Sequence, residues 1–416
     1  MRTHWVVAGW CQLNLAEKYA SISRDVCRSA QDLKPVYCGF SACIDHLYDL
    51  DPVVSALDAS NGHAERAFRS KLMAFADSGH GGEIEIDWRD GPAFFKGLPP
   101  KRALPGGTGV QVACQLAILG ARPVLAIERR DQKLIRLLHP NVTLADADSG
   151  NAAPLAPEPA PIHPIVEFSP SCDGDGPTRA DRVIVRFSED PIEQDKAFAN
   201  HTSNPNHEAG AAVVSGFNAL KGQKLESALA WGTGLLRRWT EIDIPLIHLE
   251  LADFDTADDR DQMLREFAGL YTSIGMNFSE LQQLQSSDLK TPGLILDAVL
   301  NVARDFGVSR VTVHEDRWAL SFTEGDPVKE LRAIEFGCLT AAARAHAGQP
   351  TKPVVLPLGA TLLEPPWPSI AKVLRDGHFV CCAAPYLDNP TTTIGLGDSF
   401  LAGTLAVLAG SQPPST

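Results

Sequence analysis

The stretch Thr391-Thr-Thr-Ile-Gly-Leu-Gly-Asp-Ser-Phe400 decides the fold, because the apolar run 401–408 follows it directly. Paired glycines let a backbone turn sharply and approach an anion, and the apolar run predicts a helix whose N-terminus points at that anion. The amides around Gly395 and Gly397 are expected to form the anion hole. Asp398 stands at its mouth, where a carboxylate can accept a proton from an attacking hydroxyl. The alternative is an ordinary glycine-rich turn in which Asp398 only caps the helix.

Short apolar runs alternate with helix-like segments along most of the chain. The strand-like runs are 35–40, 122–128, 211–216, 244–250, 308–314 and 378–384, and the helix-like segments are 107–120, 224–240, 259–274, 291–306 and 328–346. This alternation predicts a doubly wound, mostly parallel α/β sheet with helices on both faces. A sheet of this kind binds its ligands beyond the carboxyl ends of its strands.

Two regions interrupt the alternation. Residues 50–100 contain the extended, charged run 83–89, and residues 162–187 contain two strand-like runs, 162–168 and 182–187. We expect these regions to pair into a smaller, strand-rich lid over the main domain. The predicted domains are a discontinuous large domain (36–49, 101–158 and 203–416), a lid (50–100 and 159–202) and an N-terminal helical segment (1–35), with a Pro/Ala-rich connector at 149–161.

Composition restricts the possible functions. The 416 residues are 44% hydrophobic and 21% charged, which is typical of a soluble globular protein. The formal net charge of -14 argues against a nucleic-acid-binding surface, which needs clustered Lys and Arg. The nine cysteines form no CxxC pair, and the sequence has neither a signal peptide pattern nor an apolar run of about 18 residues. We therefore expect reduced thiols in a cytoplasmic protein without a membrane span.

Several short motifs, in a consistent order, carry a resemblance to a known family. They are Gly39-Phe-Ser-Ala-Cys-Ile-Asp45, Gly106-Gly107 with the helix after it, Ile162–Phe168, Thr178–Val183, His248-Leu-Glu250, Asn277-Phe-Ser-Glu280 and Gly395-Leu-Gly-Asp398. From about Pro35 onward the chain resembles the ADP-dependent glucokinase and phosphofructokinase family of the ribokinase-like superfamily. The last three motifs match its HxE, NxxE and GxGD patterns. The resemblance implies a ribokinase-like fold and ADP as the phosphoryl donor.

The resemblance also implies roles for the residues of the last three motifs. Asp398 is the expected base, because the hydroxyl of a sugar does not ionise unaided at neutral pH. Glu250 and Glu280 are hard oxygen donors suited to Mg²⁺ or another divalent cation, and His248 and Asn277 would support them. Structural alternatives stay open: Glu250 as a solvated strand end, Glu280 as a favourable charge at a helix N-terminus, and His248 as a structural residue.

A second group of residues is expected to bind the acceptor. The resemblance makes Asp45 the carboxylate that holds sugar hydroxyls, and a cap of the next turn is the alternative. Gly107 belongs to the substrate loop of the family, but a glycine there also permits close helix packing. The other candidates either line the pocket or face solvent; they are Thr108, His163, Glu167 and Arg182.

Two departures from the family pattern leave the identity of the sugar open. Thr108-Gly-Val110 stands where the family commonly continues with Asn-Ala-Gly, and Asp181 stands where the lid often carries Asn. Arg179 and Arg182 flank Asp181, and they would hold a sugar phosphate if they faced the pocket.

The sequence therefore predicts a Mg²⁺-dependent phosphotransferase that acts from ADP on a sugar or sugar-phosphate hydroxyl, as a monomer or small homo-oligomer, with no nucleic-acid or membrane partner. One alternative is an ATP-dependent ribokinase-like kinase of sugars or nucleosides. Another is a non-catalytic sugar- or nucleotide-binding protein on the same fold. A dinucleotide-binding oxidoreductase is disfavoured, because Gly106-Gly-Thr-Gly109 lacks the GxGxxG register.

Overall fold

Two β-sheets organise the described part of the chain, one of ten strands and one of five. The structure is a computed structural model and describes residues 15–60, 62–145, 159–169, 179–188, 190–373 and 377–410. In chain order its strands are β1 Val36–Cys38, β2 Cys43–Asp49, β3 Gly82–Glu85, β4 Arg102–Gly106, β5 Val124–Leu125, β6 Thr143–Leu144, β7 Ile162–Phe168, β8 Asp181–Arg186, β9 Ala211–Val214, β10 Ile247–Glu250, β11 Ser273–Asn277, β12 Arg310–His314, β13 Trp318–Thr323, β14 Ile370–Lys372 and β15 His378–Ala383.

The α-helices of the described residues connect and cover these strands. They are α1 Leu15–Ser29, α2 Leu50–Ala59, α3 His63–Ser78, α4 Gly91–Lys96, α5 Thr108–Leu119, α6 Gln132–Ile135, α7 Lys196–Thr202, α8 Gly222–Glu241, α9 Ala257–Glu266, α10 Phe278–Gln285, α11 Pro292–Phe306, α12 Pro327–Ala347 and α13 Leu396–Leu408. None of the helices in these ranges is both long and apolar enough to cross a membrane.

The large sheet has the order β14-β15-β13-β12-β11-β10-β9-β1-β5-β6, and its strands from β12 to β6 run parallel. Alternate residues of β9 enter different cores. Ala212 and Val214 pack with α8 to α11 on one face, and Ala211 and Val213 pack with α1, α5, α12 and α13 on the other. The predicted doubly wound, mostly parallel sheet with helices on both faces is confirmed.

Two elements beyond the middle of the chain differ from the predicted pattern. The predicted helix 259–274 is wrong in its second half, because α9 ends at Glu266 and Ser273 already begins β11. Gly269, with a φ of 74°, adopts the left-handed conformation that often follows a helix end. The sequence pattern also does not predict β13, which returns from β12 as an antiparallel partner.

The small sheet has the order β3-β8-β7-β2-β4. Its two predicted parts pair as expected, since β3 lies parallel to β8. The predicted lid boundary is wrong, however, for β2 and β4, which the sequence assigned to the large domain. β2 pairs with β7 on one side and β4 on the other. The physical reason is that Tyr48 of β2 is buried in the same core as Val166 of β7 and the lid helices.

Residues 50–100 are mostly helical, which corrects the prediction of a strand-rich segment. Among the described residues of this range, 50–60 and 62–100, only β3 is a strand, and α2, α3 and α4 occupy much of the remainder. The buried apolar residues of α2 and α3 repeat at helical spacing and cover one face of the small sheet: Val53, Leu57, Phe68, Leu72 and Ala76.

Some predicted segments lie partly outside the described residues. These are residues 1–14 of the N-terminal segment, residues 149–158 of the connector, and Thr178 of the lid segment. Within the N-terminal segment, α1 covers residues 15–29.

A close helix contact positions the N-terminus of α13. A Cβ at Gly403 of α13 would lie 2.9 Å from the Cα of Gly337 in α12, and a Cβ at Gly337 would lie 2.7 Å from the carbonyl oxygen of Phe400. Side chains larger than hydrogen would force the helices apart. The two glycines therefore let α12 pack directly against the helix that begins with the glycine-rich turn.

Candidate active site

The carboxyl ends of three neighbouring parallel strands meet the N-terminus of α13. Glu250 ends β10, Asn277 ends β11 and His314 ends β12. Gly395, directly before α13, has a φ of 70°, a left-handed conformation that glycine adopts without strain. A Cβ at Gly397 would lie 3.3 Å from the His314 ring, so the first turn of the helix contacts the strand end. This is the arrangement that an anion site at a helix N-terminus requires.

Asp398 lies in the first turn of α13 and is partly buried. Thr108, the first residue of α5, lies beside this carboxyl, and its hydroxyl acts to lower the pKa of Asp398. Burial raises the pKa of Asp398 above its usual value; Arg344 opposes this rise, and Glu250 adds to it. A carboxylate with a raised pKa accepts a proton more readily than an ordinary surface aspartate.

The loop that holds Thr108 depends on the predicted glycine. Gly107 precedes α5 with a φ of 87°, and a Cβ there would lie 2.5 Å from the carbonyl oxygen of Ser41. Both the backbone conformation and the close contact therefore require glycine at this position. The N-termini of α5 and α13 consequently meet at Asp398.

A buried arginine side chain lies beneath the glycine-rich turn. Arg344 of α12 is fully buried, and a Cβ at Gly395 would collide with its guanidinium group. Its Nη1 donates to Gln111 Oε1 at 2.8 Å and to Ser399 Oγ at 3.3 Å. Its Nε and Nη2 meet no hydrogen-bond partner in the described part of the chain. Burial lowers the pKa of Arg344 to about 10, so the group still supplies a positive charge at neutral pH.

A buried chain of hydrogen bonds holds Glu250. Arg310 can only donate, and its Nη1 donates to Ser273 Oγ at 3.0 Å. His248 Nε2–H donates to Glu250 Oε2 at 2.8 Å, and burial lowers the pKa of His248. The other ring nitrogen, Nδ1, is therefore unprotonated and accepts from the Ser273 hydroxyl at 2.8 Å. A buried ion pair with Glu330 fixes Arg310 in turn. The chain thus sets the tautomer of His248 and the orientation of Glu250.

Glu250 remains ionised in this environment. Burial acts to raise its pKa, but the hydrogen bond from His248 and the nearby His314 ring, whose Nε2 lies 3.9 Å from Glu250 Oε1, outweigh burial and lower the pKa to about 2. On the neighbouring strand β11, Gly275 is the Cα partner of Glu250, and a side chain there would collide with the carboxylate.

Asn277 and Glu280 form a capping box at the start of α10. Asn277 Oδ1 accepts from the Glu280 amide at 2.9 Å, and Glu280 Oε2 accepts from the Asn277 amide at 2.8 Å. The helix-terminal role that the sequence left open is therefore present. Burial raises the pKa of Glu280 to about 8, and the negative charge of Glu250 contributes. Two hard carboxylates that repel each other are a donor set that fits Mg²⁺.

The face of the small sheet that is turned toward α5 carries Asp45 and His163 in register. They are Cα partners on β2 and β7, with 4.0 Å between Asp45 Oδ1 and His163 Nδ1. Gln111 Nε2 donates to Asp45 Oδ2 at 3.3 Å, so Gln111 joins Asp45 to Arg344. Burial raises the pKa of Asp45, and His163 opposes that rise. Asp45 is thus the third residue of a lid strand, which corrects its expected place after the first strand of the large domain, because β1 ends at Cys38.

Glu167 joins the lid to the loop before α13. Its Oε1 accepts from the Thr393 amide at 3.0 Å and from the Thr392 hydroxyl at 2.5 Å. Both partners belong to the glycine-rich stretch that contains Asp398. The structure therefore gives Glu167 a position that couples the lid to the turn, whereas the sequence left pocket lining and solvent exposure open.

The lid arginines already have acidic partners. Arg182 contacts its neighbour in sequence, and Arg179 also bridges to the large domain. The nearest pairs are Arg182 Nη1–Asp181 Oδ1 at 3.0 Å, Arg179 Nη2–Asp181 Oδ2 at 3.0 Å, Arg179 Nη1–Asp316 Oδ2 at 2.8 Å and Arg186 Nη2–Glu83 Oε2 at 2.6 Å. Much of their positive charge is thus compensated within the protein.

Sequence reasoning missed several residues of this site. Gln111 and Arg344 each carried a usable signal, because a polar residue inside a largely buried helix needs a partner. His314 and Ser273 carried no such signal. Their neighbours across the sheet depend on strand register, which local sequence does not specify.

A carboxylate at a strand end, a glycine-opened helix N-terminus and a second, smaller sheet place the protein among α/β proteins with a doubly wound, mostly parallel sheet. The chain belongs to the family described as the ADP-specific phosphofructokinase/glucokinase conserved region, which matches residues 34–407.

Curated relatives align over parts of their length. The ADP-dependent glucose/glucosamine kinase of Pyrococcus furiosus is 29% identical over 155 residues, which are 34% of this chain and 33% of the relative. The ADP-specific phosphofructokinase of Pyrococcus abyssi is 25% identical over 227 residues, which are 47% of this chain and 50% of the relative. The chain thus spans between a third and a half of these relatives.

Solved structures match the fold over nearly the whole chain. An ADP-dependent kinase in complex with fructose-6-phosphate and ADPβS has a TM-score of 0.79 at 16% identity and covers 96% of this chain and 99% of its own. A phosphofructokinase from Pyrococcus horikoshii OT3 with AMP has a TM-score of 0.70 at 18% identity and covers 91% of this chain and 98% of its own. Likeness at this level of identity establishes the fold.

Proposed function

We propose that this protein is a kinase that transfers a phosphoryl group from ADP to a hydroxyl of a small sugar and releases AMP. The observation that carries the proposal is the position of Asp398, a carboxylate of raised pKa between the N-termini of α5 and α13. Asp398 removes the proton of the attacking hydroxyl. The helix N–H groups stabilise charge on the transferred group, and the charge of Arg344 lies beneath them.

Glu250 and Glu280 would hold Mg²⁺, since Glu250 ends β10 and Glu280 lies in the first turn of α10, directly after the neighbouring strand β11. When bound, the cation neutralises charge on the nucleotide phosphates. Its binding requires Glu280 to lose a proton, because the pKa of this carboxyl lies at about 8 without the metal.

The acceptor is a neutral sugar in this proposal. Arg179, Arg182 and Arg186 are already paired with carboxylates, so a sugar phosphate would have to displace those partners. Asp45 adds negative charge on the same sheet. Both observations favour an uncharged acceptor over a dianionic one.

ADP is the proposed donor because the chain belongs to a family described by ADP-specific kinases. An ATP-dependent sugar or nucleoside kinase is the nearest alternative. A non-catalytic binding protein is less favoured, because a raised-pKa carboxylate in an anion-binding turn has no evident use in simple binding. We also propose a cytoplasmic location, in which the seven described cysteines, all unpaired, would stay reduced.

A donor-by-acceptor matrix tests these proposals. ADP and ATP are each combined with glucose, glucosamine and fructose 6-phosphate, and formation of AMP is measured alongside the phosphorylated sugar. We expect turnover with ADP and a neutral sugar. Faster turnover with ATP would refute the donor, and a preference for fructose 6-phosphate would refute the acceptor. Saturable binding without turnover in any combination would identify a binding protein.

A further inference from the structure

Three side chains of different chemistry lie close together on the face of the small sheet that is turned toward α5. Cys43 and Asp45 are two residues apart on β2 and therefore share a face, and His163 lies opposite Asp45 on β7. Their ligand atoms all lie within 4.8 Å of one another. A thiol, a carboxylate and an imidazole are the side chains that zinc sites most often use.

The spacing is close to that of a metal site. Zinc bonds of about 2.3 Å to sulfur and about 2.0 Å to nitrogen or oxygen place tetrahedral ligands roughly 3.3–3.5 Å apart. Cys43 Sγ lies 3.5 Å from Asp45 Oδ1, which already meets this value. His163 Nδ1 lies 4.0 Å from the same oxygen, and the three ligand atoms lie within 4.8 Å of one another, so shifts of roughly 0.6 to 1.4 Å bring the set to this spacing.

Two neighbouring residues, Asp190 and Gly106, favour metal binding at this cluster. Asp190 Oδ2 lies 2.7 Å from His163 Nε2, so Nδ1 is the ring nitrogen that faces Asp45. A carboxylate beside the outer ring nitrogen is the usual second partner of metal-bound imidazoles, and here it makes an ion-pair contact that is not aligned as a hydrogen bond. On β4, Gly106 is the Cα partner of Cys43, and a Cβ there would lie 2.5 Å from Cys43 Sγ. Glycine therefore leaves the space that the cluster occupies.

We propose that Cys43, Asp45 and His163 bind a borderline-soft divalent cation such as Zn²⁺, and that this cation excludes the sugar from Asp45. A sulfur ligand selects zinc-like ions over Mg²⁺, which prefers oxygen. Binding displaces the proton of the Cys43 thiol to solvent, and His163 binds the cation through the lone pair of Nδ1. The nearby charge of Arg344 opposes the cation and keeps its affinity moderate. The metal site stands on the geometry alone, whereas the exclusion of the sugar rests on the proposed function.

Cobalt(II) is the probe for metal binding, since it follows zinc chemistry and reports a sulfur ligand by a thiolate-to-metal absorption band. We expect one equivalent of Co²⁺ to give this band in the wild-type protein, and Zn²⁺ but not Mg²⁺ to remove it. Cys43→Ser and His163→Gln should weaken Zn²⁺ binding at least ~10-fold. Cys114→Ser, which changes a buried thiol of α5, is the matched control. Absence of the band, or its persistence in Cys43→Ser, would overturn the proposal.

Competition separates the two parts of the proposal. The Co²⁺-loaded protein is titrated with the acceptor sugar that the activity matrix identifies, or with glucose if none is turned over. We expect the sugar to remove the thiolate band, and Zn²⁺ to raise the apparent KM for the sugar without an equal fall in kcat. A band that persists at saturating sugar would overturn the exclusion and the assignment of Asp45 to the sugar, while leaving the metal site in place.

Discussion

The two sheets of this protein position their functional side chains in different ways. In the ten-stranded sheet, Glu250 and Asn277 end parallel strands, and Asp398 lies in the first turn of a helix. In the five-stranded sheet, Asp45 lies within a strand and faces His163 on a strand from a distant part of the chain. The first kind of position follows from a short local motif, whereas the second depends on strand register. We infer that the large sheet carries the chemistry and the small sheet the selection of the acceptor.

The largest expected effect concerns the chemical step at the large sheet. Asp398→Asn keeps the shape of the side chain but removes its ability to accept a proton, so kcat should fall at least ~10²-fold. ADP affinity, measured by calorimetry, should change only a few-fold. Asp388→Asn, at an exposed position before the same stretch, serves as the control. Turnover near the wild-type value would remove Asp398 from the chemistry.

The corresponding substitution in the small sheet, at Asp45, should change the affinity for the sugar. Asp45→Asn removes a charged hydrogen-bond acceptor, and we expect the KM for the sugar to rise roughly 10- to 100-fold with a smaller change in kcat. The control is Asp49→Asn, at the exposed end of the same strand, where the carboxylate pairs with Lys101. If kcat fell and KM stayed constant, Asp45 would belong to the chemical step and the division between the sheets would fail.

In the glycine-rich turn, substitution of Gly395 by alanine should destabilise the protein more than the same substitution of Gly397. Gly395→Ala places a Cβ at a φ of 70° and against the Arg344 guanidinium, which should lower the free energy of unfolding by about 1–3 kcal/mol. Gly397→Ala meets only the His314 ring at 3.3 Å, and helix propensity favours alanine over glycine by about 1 kcal/mol, so the net change should stay within about 1 kcal/mol of zero. Denaturant unfolding of both variants provides the measurement. Equal losses would show that Arg344 does not constrain the turn.

The stability of the metal-free protein should depend on pH through Glu280. Its pKa is about 8 in the folded protein against 4.5 for the ordinary group, so its contribution to stability is full below pH 4.5 and is lost as the pH rises through 8. Glu280→Gln retains an oxygen acceptor for the capping box and removes this loss. In EDTA we expect the variant to gain about 1–2 kcal/mol over wild type between pH 5 and pH 9, after allowance for solvent screening.

The melting temperature at each pH measures this gain. Added Mg²⁺ should narrow the difference at pH 9, because the cation stabilises only the protein that retains the carboxylate. A difference between the two proteins that is the same at every pH would contradict the raised pKa.

The smallest expected effect concerns the buried chain behind Glu250. Ser273→Ala removes the link between Arg310 and His248, so Glu250 loses its fixed orientation. We expect the Mg²⁺ concentration for half-maximal rate to rise about 3- to 10-fold, at the low end of effects known for residues behind a metal ligand. Ser309→Ala, an exposed serine near the same strands, is the control. An unchanged Mg²⁺ titration would show that the chain has no influence on the metal.

Local patterns account for the features that the sequence predicted well. The βα alternation specified the parallel sheet, and the helices 224–240, 291–306 and 328–346 match α8, α11 and α12 closely, because amphipathic periodicity and caps act over a few turns. The lid was harder. Residues 50–100 carry helical spacing at Val53, Leu57, Phe68 and Leu72, but the charged strand-like run 83–89 dominated the prediction.

The sequence by itself determined the large-sheet candidates, since a glycine-opened helix N-terminus and carboxylates at strand ends are encoded within a few residues of each motif. Only the tertiary structure decided that β2 and β4 belong to the lid, that Glu167 contacts Thr392 and Thr393, and that Arg344 lies beneath Gly395. These contacts join residues far apart in the chain. They depend on strand register and on the packing of α12 against α13, which no local pattern specifies.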